Sequence, residues 1–523
     1  MRRPVSVIDL FAGPGGLGEG FSASGRDSGQ QRFRIAISVE KDVCAHQTLE
    51  LRAFYRQFPW RSAPASYYAH LAGDLTRDQL FALHPGEAEQ ARTEACQLEL
   101  GLVDRQLLNE RIRAQLGGRS GCVLVGGPPC QAYSIAGRSR NKGIADYRPE
   151  DDDRQYLYRE YLQILADHWP LVFVMENVRG LLSATLSNGG VFRRVLEDLA
   201  SPARALHRPG GNGESHFYDV IALGPPSLLD VSATDYVLRA EDYGIPQARH
   251  RVVLVGIRED LRRRMGPGRV SLAPKKPTPT KHVLSGLPKL RSGISRGTDG
   301  RHEWLQVFRQ MSGAPWIRAL RQVAGEDVAR TVSDVLSRIV APRSDRGAEF
   351  VPGSYRGPRW EPEWFGDPRL GGVCNHSSRE HMTSDLHRYF FASCYAKHHR
   401  VSPRLADFPR ELLPDHGNVE LALSQHGYFQ DRFRVQVWNR PSTTVTSHIA
   451  KDGHAFIHPD PRQCRSLTVR EAARLQTFPD NYLFCGPRTE QYRQIGNAVP
   501  PLLARQIADC VWAILCKSRM VQT

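Results

Sequence analysis

With 523 residues, 41% of them hydrophobic and 24% charged, the chain has the composition of a soluble globular protein with room for two or three domains. No run approaches the roughly eighteen apolar residues of a membrane span, and MRRPVSVIDLF leads straight into an apparent strand, so neither a span nor a cleavable signal is expected. Ten cysteines without a CxxC pair exclude a disulfide framework or zinc ribbon and fit a reducing cytoplasm, while a net charge of +15 points to a polyanionic partner.

Residues 5–258 alternate apolar runs (VSVIDLF, FRIAISVE, CVLVGG, LVFVMENV, RVVLVGI) with polar, helix-permissive segments. That is the pattern of a parallel sheet with crossover helices. The first run enters a glycine-rich turn, in which Gly13, Gly15 and Gly18 satisfy GxGxxG. Glu40 ends the next run at a spacing that suits a carboxylate accepting from ribose hydroxyls. The motif alone leaves NAD open. Two residues favour S-adenosylmethionine. Phe11 can lie against an adenine, and Asp74, in GDLT, is expected at a third strand end facing an adenine amino group. The charged stretch from Thr93 to Leu116 reads as a helical insertion.

GGPPCQAYS then follows the CVLVGG strand. Pro128 and Pro129 stop the ladder and stiffen the chain, so Cys130 is expected at a strand's carboxyl end, the edge where ligands sit in open α/β sheets. The polar, basic loop 136–148 reads as a lid. A fourth strand ends in Glu176 and Asn177, where a buried carboxylate needs a partner or a task. In PQARHRVVLVGIR, Arg249 and Arg251 stand two apart and share one face of a strand, which suits phosphate or carbonyl groups.

The composition changes after the last strand. Leu261 to Thr298 holds ten Lys or Arg and no Asp or Glu, the make-up of a hinge in contact with phosphate. Val328, Val332, Val335, Leu336 and Ile339 mark one apolar helix face. Cys374, His376, His381, His387 and Cys394 cluster without a familiar zinc spacing, so no metal is expected. Thr468 and Glu471 form a capping box that opens VREAARLQTF, which Pro479 closes. Two prolines in a first turn open the final apolar helix.

The ordered set DLFAGPGG, VEKD, GDLT, GGPPCQAYS, MENV, QARHR, LTVREAARLQTFP and QIGNAVPP resembles the DNA (cytosine-5)-methyltransferases of prokaryotic restriction-modification systems. The resemblance spans residues 5–258 and 441–512. It implies a Rossmann-like, doubly wound α/β fold with a mixed, mostly parallel sheet. Residues 1–261 would be catalytic, 262–440 a smaller target-recognition domain with a basic hinge, and 441–523 a segment completing the catalytic domain. It makes Cys130 the nucleophile, Glu176 the group on the cytosine ring, and Arg249 and Arg251 ligands of a flipped nucleotide. Phe11, Ala12, Gly13, Gly15, Gly16, Glu40, Asp74, Leu75, Pro129, Leu157, Asn497 and Val499 would line the pocket for S-adenosyl-L-methionine, which leaves as S-adenosyl-L-homocysteine. The implied partners are double-stranded DNA and a separately acting restriction endonuclease, for a monomer in the cytoplasm at the nucleoid. Two alternatives keep the same sequence features: a tRNA cytosine-5 methyltransferase and a catalytically silent DNA-binding protein.

Overall fold

The five apolar runs become strands because helices cover both of their faces, which is why they read as continuous Val, Ile and Leu rather than as alternation. The computed structural model describes residues 3–118, 121–129, 154–183, 185–186, 189–207, 217–225, 232–354, 357–414 and 430–521. They pack as two compact units, one of Met1–Ala63, Phe81–Lys276 and Ala498–Thr523, the other of Pro64–Leu80 and Pro277–Asn497. These limits differ from the 261/262 and 440/441 boundaries read from the sequence: residues 441–497 pack in the second unit, and only the last segment joins the sheet's unit.

The first unit holds an eight-stranded sheet. Its strands are β1 (Val5–Leu10), β2 (Phe33–Glu40), β3 (Ala95–Gln97), β4 (Cys122–Gly126), β5 (Val172–Val178), β6 (Tyr218–Ile221), β7 (Val237–Arg239) and β8 (His250–Arg258). The order is β3-β2-β1-β4-β5-β8-β6, with β7 paired to β8. The first five strands are parallel, and β8 runs antiparallel to β5, β6 and β7. The fold is α/β with a mixed, mostly parallel sheet. Order reverses between β1 and β4, the switch point where open sheets of this kind bind ligands.

Two expectations are corrected here. The charged stretch 93–116 is not wholly helical, because Ala95–Gln97 is the third strand of the sheet. Being three residues long and paired on one side only, it carries no long apolar run to announce it. Nor does GDLT end a strand: Gly73, at φ 89°, caps the helix Ala65–Ala72, and Asp74 N donates to Ala69 O at 2.9 Å. That helix belongs to the second unit, where Tyr67 Oη donates to Asn481 O at 3.1 Å and Tyr68 Oη to Asp367 Oδ2 at 2.6 Å.

The helix α1 (Gly16–Ala23) follows the glycine-rich turn and packs on the last helix, α2 (Pro501–Lys517). Contact is close because a Cβ on Gly20 would stand 2.5 Å from Ala504 Cβ. The stretch Arg488–Lys517 is, contrary to the sequence reading, long and apolar enough to cross a membrane by length and composition, but 61% of its apolar window is buried. Within α2, Leu503, Ala504, Ile507, Val511 and Ile514 are core side chains.

The second unit is built on the helices Arg301–Met311, Pro315–Ala324, Glu326–Ser337 and Thr383–His399. Trp304, Phe308, Trp316, Phe390 and Phe391 fill its core. Val328, Val332 and Val335 are buried, as their spacing predicts. The capping box also forms: Thr468 N donates to Glu471 Oε2 at 2.8 Å, and Glu471 N to Thr468 Oγ1 at 3.2 Å.

Candidate active site

The carboxyl ends of β1 and β2 meet in one tightly bonded corner. After Leu10 the chain turns through Phe11 at φ 54°, a left-handed conformation rare for a bulky residue and a mark of strain held by its surroundings. Ala12 N donates to Val39 O at 3.0 Å, and Gly13 N to Glu40 Oε2 at 2.8 Å. Glu40 Oε1 accepts from Lys41 N at 3.0 Å and Asp42 N at 2.8 Å. These three bonds leave this carboxylate about one of its roughly four acceptor positions.

The glycines divide their tasks. Among the described residues nothing stands within 4 Å of where a Gly13 Cβ would be, so no described side chain closes the turn there. Gly15 caps α1 at φ 93°, a backbone that side chains rarely adopt. Gly16 serves packing, since its Cβ would fall 2.3 Å from Val499 O. Leu157 is partly buried and packs on the same apolar cluster as Phe11. Asp74 and Leu75 lie in the second unit, and Asn497, itself exposed, ends a helix there.

Asp9, one strand position before Leu10, was not singled out by sequence. It is fully buried, with no side-chain hydrogen-bond partner among the described residues and only the Gly18 backbone to offer it a hydrogen bond. Burial pushes its carboxyl up to about 7, against the lowering pull of Arg56.

At the ends of β4 and β5 the GGPP turn and the ENV sequence interlock. Asn177, 3% exposed, donates from Nδ2 to Pro128 O at 3.2 Å. Gly127 lies flush against the Glu176 side chain, with Oε2 3.2 Å from where a Cβ would stand. Any larger residue at Gly127 would displace that carboxylate. Arg251 Nε lies 3.0 Å from Glu176 Oε1. The antiparallel register, which sets Arg251 opposite Val178 and Val253 opposite Glu176, brings QARHR to this place. Arg249 is buried beside it; burial first, then the charge of Arg251, push its guanidinium down to about 9, with Glu176 opposing. The structure therefore brings Glu176, Arg249 and Arg251 together beside Gly127 and Pro128. Pro129 is partly buried next to them. Cys130 and the loop 136–148 lie outside the described residues.

Other cysteines offer no alternative nucleophile in the core. Burial pushes the thiols of Cys122, Cys374 and Cys510 up to about 12, and those of Cys394 and Cys464 upward as well. A thiol so shifted supplies almost no thiolate near neutral pH.

The Cys/His cluster has structural partners. His376 bonds Thr468 Oγ1 at 3.0 Å and Pro288 O at 2.8 Å, and His387 Nδ1 accepts from Trp316 Nε1 at 3.1 Å. In the basic stretch 261–298, Arg262 pairs with Asp219 at 2.8 Å, Arg263 with Glu259 at 3.4 Å, and Arg291 with Asp299 and Asp345. Part of its charge is thus balanced within the chain.

A family model for the C-5 cytosine-specific DNA methylases matches residues 107–202, 231–312 and 385–512, more than half of the chain. The chain belongs to the C-5 cytosine-specific DNA methylases. It is an enzyme of that type, acting on cytosine C5 in DNA. Relatives match the methylase over nearly all of both chains. The type II methyltransferase M.Bpa9945I of Bacillus paralicheniformis is 32% identical, covering 97% of this chain and 98% of its own. The type II methyltransferase M.AgeI of Thalassovita gelatinovora is 28% identical, over 97% and 99%. The DNA (cytosine-5-)-methyltransferase M.ApeKI of Aeropyrum pernix is 28% identical, over 98% and 98%.

Proposed function

We propose that the methylase acts on a specific duplex DNA site through a covalent adduct between Cys130 and cytosine C6, using S-adenosyl-L-methionine. The observation that carries this is the Glu176–Arg251 pair seated against Gly127 of the GGPP turn. It sets an acid and two guanidiniums beside the segment that leads into Cys130.

Cytosine C5 is a weak nucleophile. Attack of the Cys130 thiolate on C6 pushes electrons into the ring, provided N3 is protonated or bonded by an acid, the task of Glu176. Arg251 steadies that carboxylate, and with Arg249 holds the electron-rich side of the flipped nucleotide. Flipping costs a few kcal/mol. Once C5 carries the methyl group, loss of its proton and departure of the cysteine restore the ring.

The donor fits the corner of β1 and β2. No described side chain closes the turn at Gly13, Glu40 keeps an acceptor position for a ribose hydroxyl, and Phe11 offers a ring face. Gly15, Gly16, Val499 and Leu157 shape its walls, with Ala12 and Pro129 completing the set that we assign to it. When bound, the donor supplies an electrophilic methyl group. The names of the relatives favour a restriction-modification setting, with a separate endonuclease as the counterpart of a monomeric cytoplasmic methylase.

Duplex DNA with 5-fluorocytosine at the target tests the adduct. Without a C5 proton to lose, protein and DNA should stay joined through denaturant, with the link on Cys130. Cys130→Ser should abolish it, and S-adenosyl-L-homocysteine should trap little. Methylation of ordinary cytosine with no trapping on the fluorinated base, or a link through another residue, would overturn the mechanism.

A further inference from the structure

We propose that Glu241 is a positioning residue for methyl transfer: by gripping the His250 ring behind β8, it fixes the backbone that carries Arg249 and Arg251. The inference rests on the reading of those arginines as ligands of a flipped nucleotide.

β8 outruns its neighbour in the sheet. Its register with β5 ends at the pair Arg251–Val178, so His250 and Arg249 stand beyond the ladder on that side. β7 covers the other side over three residues only, with Val237, Leu238 and Arg239 opposite Val252, Arg251 and His250. A strand end paired over so few residues opens readily. The arginines therefore sit where the sheet itself gives them little support.

The turn between β7 and β8 supplies what the ladder lacks. It is tight: Tyr243 N and Ile245 N both donate to Ala240 O, at 3.1 and 3.2 Å, and Gly244 takes a left-handed backbone at φ 80°. Ala240 N donates to Arg249 O at 3.0 Å, which ties the turn to the peptide of that arginine. Beside this bond, Glu241 Oε1 lies 2.6 Å from His250 Nε2, a short contact in which the ring N–H donates to a carboxylate. Glu241 is 8% exposed, and its Oε2 has no hydrogen-bond partner among the described residues. Arg239, largely exposed, stands 3.6 Å from the same carboxylate. His250 is thus the main hold on a buried acid.

Side chains alternate along a strand, so His250 faces away from Arg251 and its partner Glu176. Glu241 works from the opposite face, through the strand's backbone. Fixing the peptide on either side of His250 fixes where both guanidiniums start.

Single-turnover methyl transfer by the full chain tests this, on a duplex bearing the site that bisulfite sequencing of DNA modified by the unaltered methylase identifies. A second duplex carries 2-aminopurine at the target position, whose fluorescence rises when the base leaves the stack. Glu241→Ala should slow transfer about tenfold and dim the probe, the loss expected for one charge-assisted hydrogen bond, with S-adenosyl-L-homocysteine binding unchanged within about twofold. Glu241→Gln, whose amide oxygen can accept the same bond, should recover transfer to within about threefold. His250→Leu should repeat the loss, and combining it with Glu241→Ala should add little, because the two side chains act as one unit. Should Glu241→Ala not fold, His250→Leu against Glu241→Gln gives the same comparison. Transfer per folded molecule within about twofold in the loss variants, even with lowered resistance to urea, would make the pair merely structural and overturn the assignment. Losses that multiply in the double variant, or a Glu241→Gln as slow as Glu241→Ala, would overturn it too. If the unaltered methylase neither methylates the duplex nor brightens the probe, the flipped-nucleotide reading fails and this inference with it. If it does both and the variants match it, this inference alone fails.

Discussion

Arginine is buried in both units of the methylase, but on different terms. In the second unit two fully buried guanidiniums each have their own carboxylate. Arg465 reaches Glu471 with two contacts of 2.7 Å, and Arg474 reaches Asp480 at 2.9 and 3.0 Å, all four side chains 0–1% exposed. In the first unit Arg251 pairs with Glu176 at 3.0 Å and Arg249 is buried near both, its guanidinium pushed down to about 9 by burial and by Arg251. Balanced, bidentate pairs satisfy themselves and lock local structure. Two guanidiniums beside one carboxylate concentrate positive charge there, which would suit the flipped nucleotide proposed above.

The sharpest way to break this contrast is Glu176→Gln. If the carboxylate acts on the ring, methyl transfer should fall by about 10²–10⁴-fold, the range for a positioned general acid. Binding of S-adenosyl-L-homocysteine should stay within about threefold of the unaltered protein, by calorimetry. Turnover within about threefold of normal would show that Glu176 is a structural partner of Arg251 and nothing more.

The matching change in the second unit is Glu471→Gln. It keeps the shape of the side chain but leaves Arg465 buried without its anion, and breaking such a pair costs about 3–5 kcal/mol. Urea unfolding should register that loss, while methyl transfer per folded molecule stays within about twofold. A fall in turnover without a fall in stability would move this pair into the working site. Glu176→Gln should cost less stability than this, because Arg251, 19% exposed, can turn toward water.

Which parts of this were legible in the sequence follows from how each part is buried. Strands β1, β2, β4, β5 and β8 lie between helices and are written as unbroken apolar runs. β3 is an edge strand of three residues in a charged stretch, so nothing in ACQLELG distinguishes it from a helix end. GDLT looks right locally, yet the two tyrosines before it anchor its helix in the second unit, and local sequence does not encode that choice. Glu40 could be found by its spacing, but not the three backbone bonds that nearly saturate it. Glu176 and Arg251 stood out as motif residues, whereas their meeting depends on the antiparallel register of β8. Arg465, Arg470 and Arg474 look like solvent-facing arginines in VREAARL and its approach, and only the fold shows them buried.

Proton linkage gives the smallest effect per group, and here the two units should respond with opposite sign. Asp9 in the first unit is faced by Arg56, Glu40 and Glu94, and burial dominates, raising its carboxyl from 3.8 to about 7. Its contribution to stability is complete below the unfolded value and is lost as pH rises through 7. His381 in the second unit is buried against Arg379, His454, Arg465 and Arg488; burial and then those charges lower it from 6.5 to about 3. Its contribution is complete above 6.5 and is lost as pH falls. Between about pH 5.5 and 7.5, linkage gives a change of about 2 kcal/mol for Asp9 and about 1 kcal/mol for His381. Asp9→Asn and His381→Gln each delete one term. The stability of the unaltered methylase relative to Asp9→Asn should fall as pH rises, and relative to His381→Gln it should fall as pH falls. Urea unfolding of the three proteins at the two pH values measures both gaps. Gaps that move in the same direction, or stay flat, would mean that the buried carboxyl and the buried imidazole find partners in the folded chain that cancel their burial.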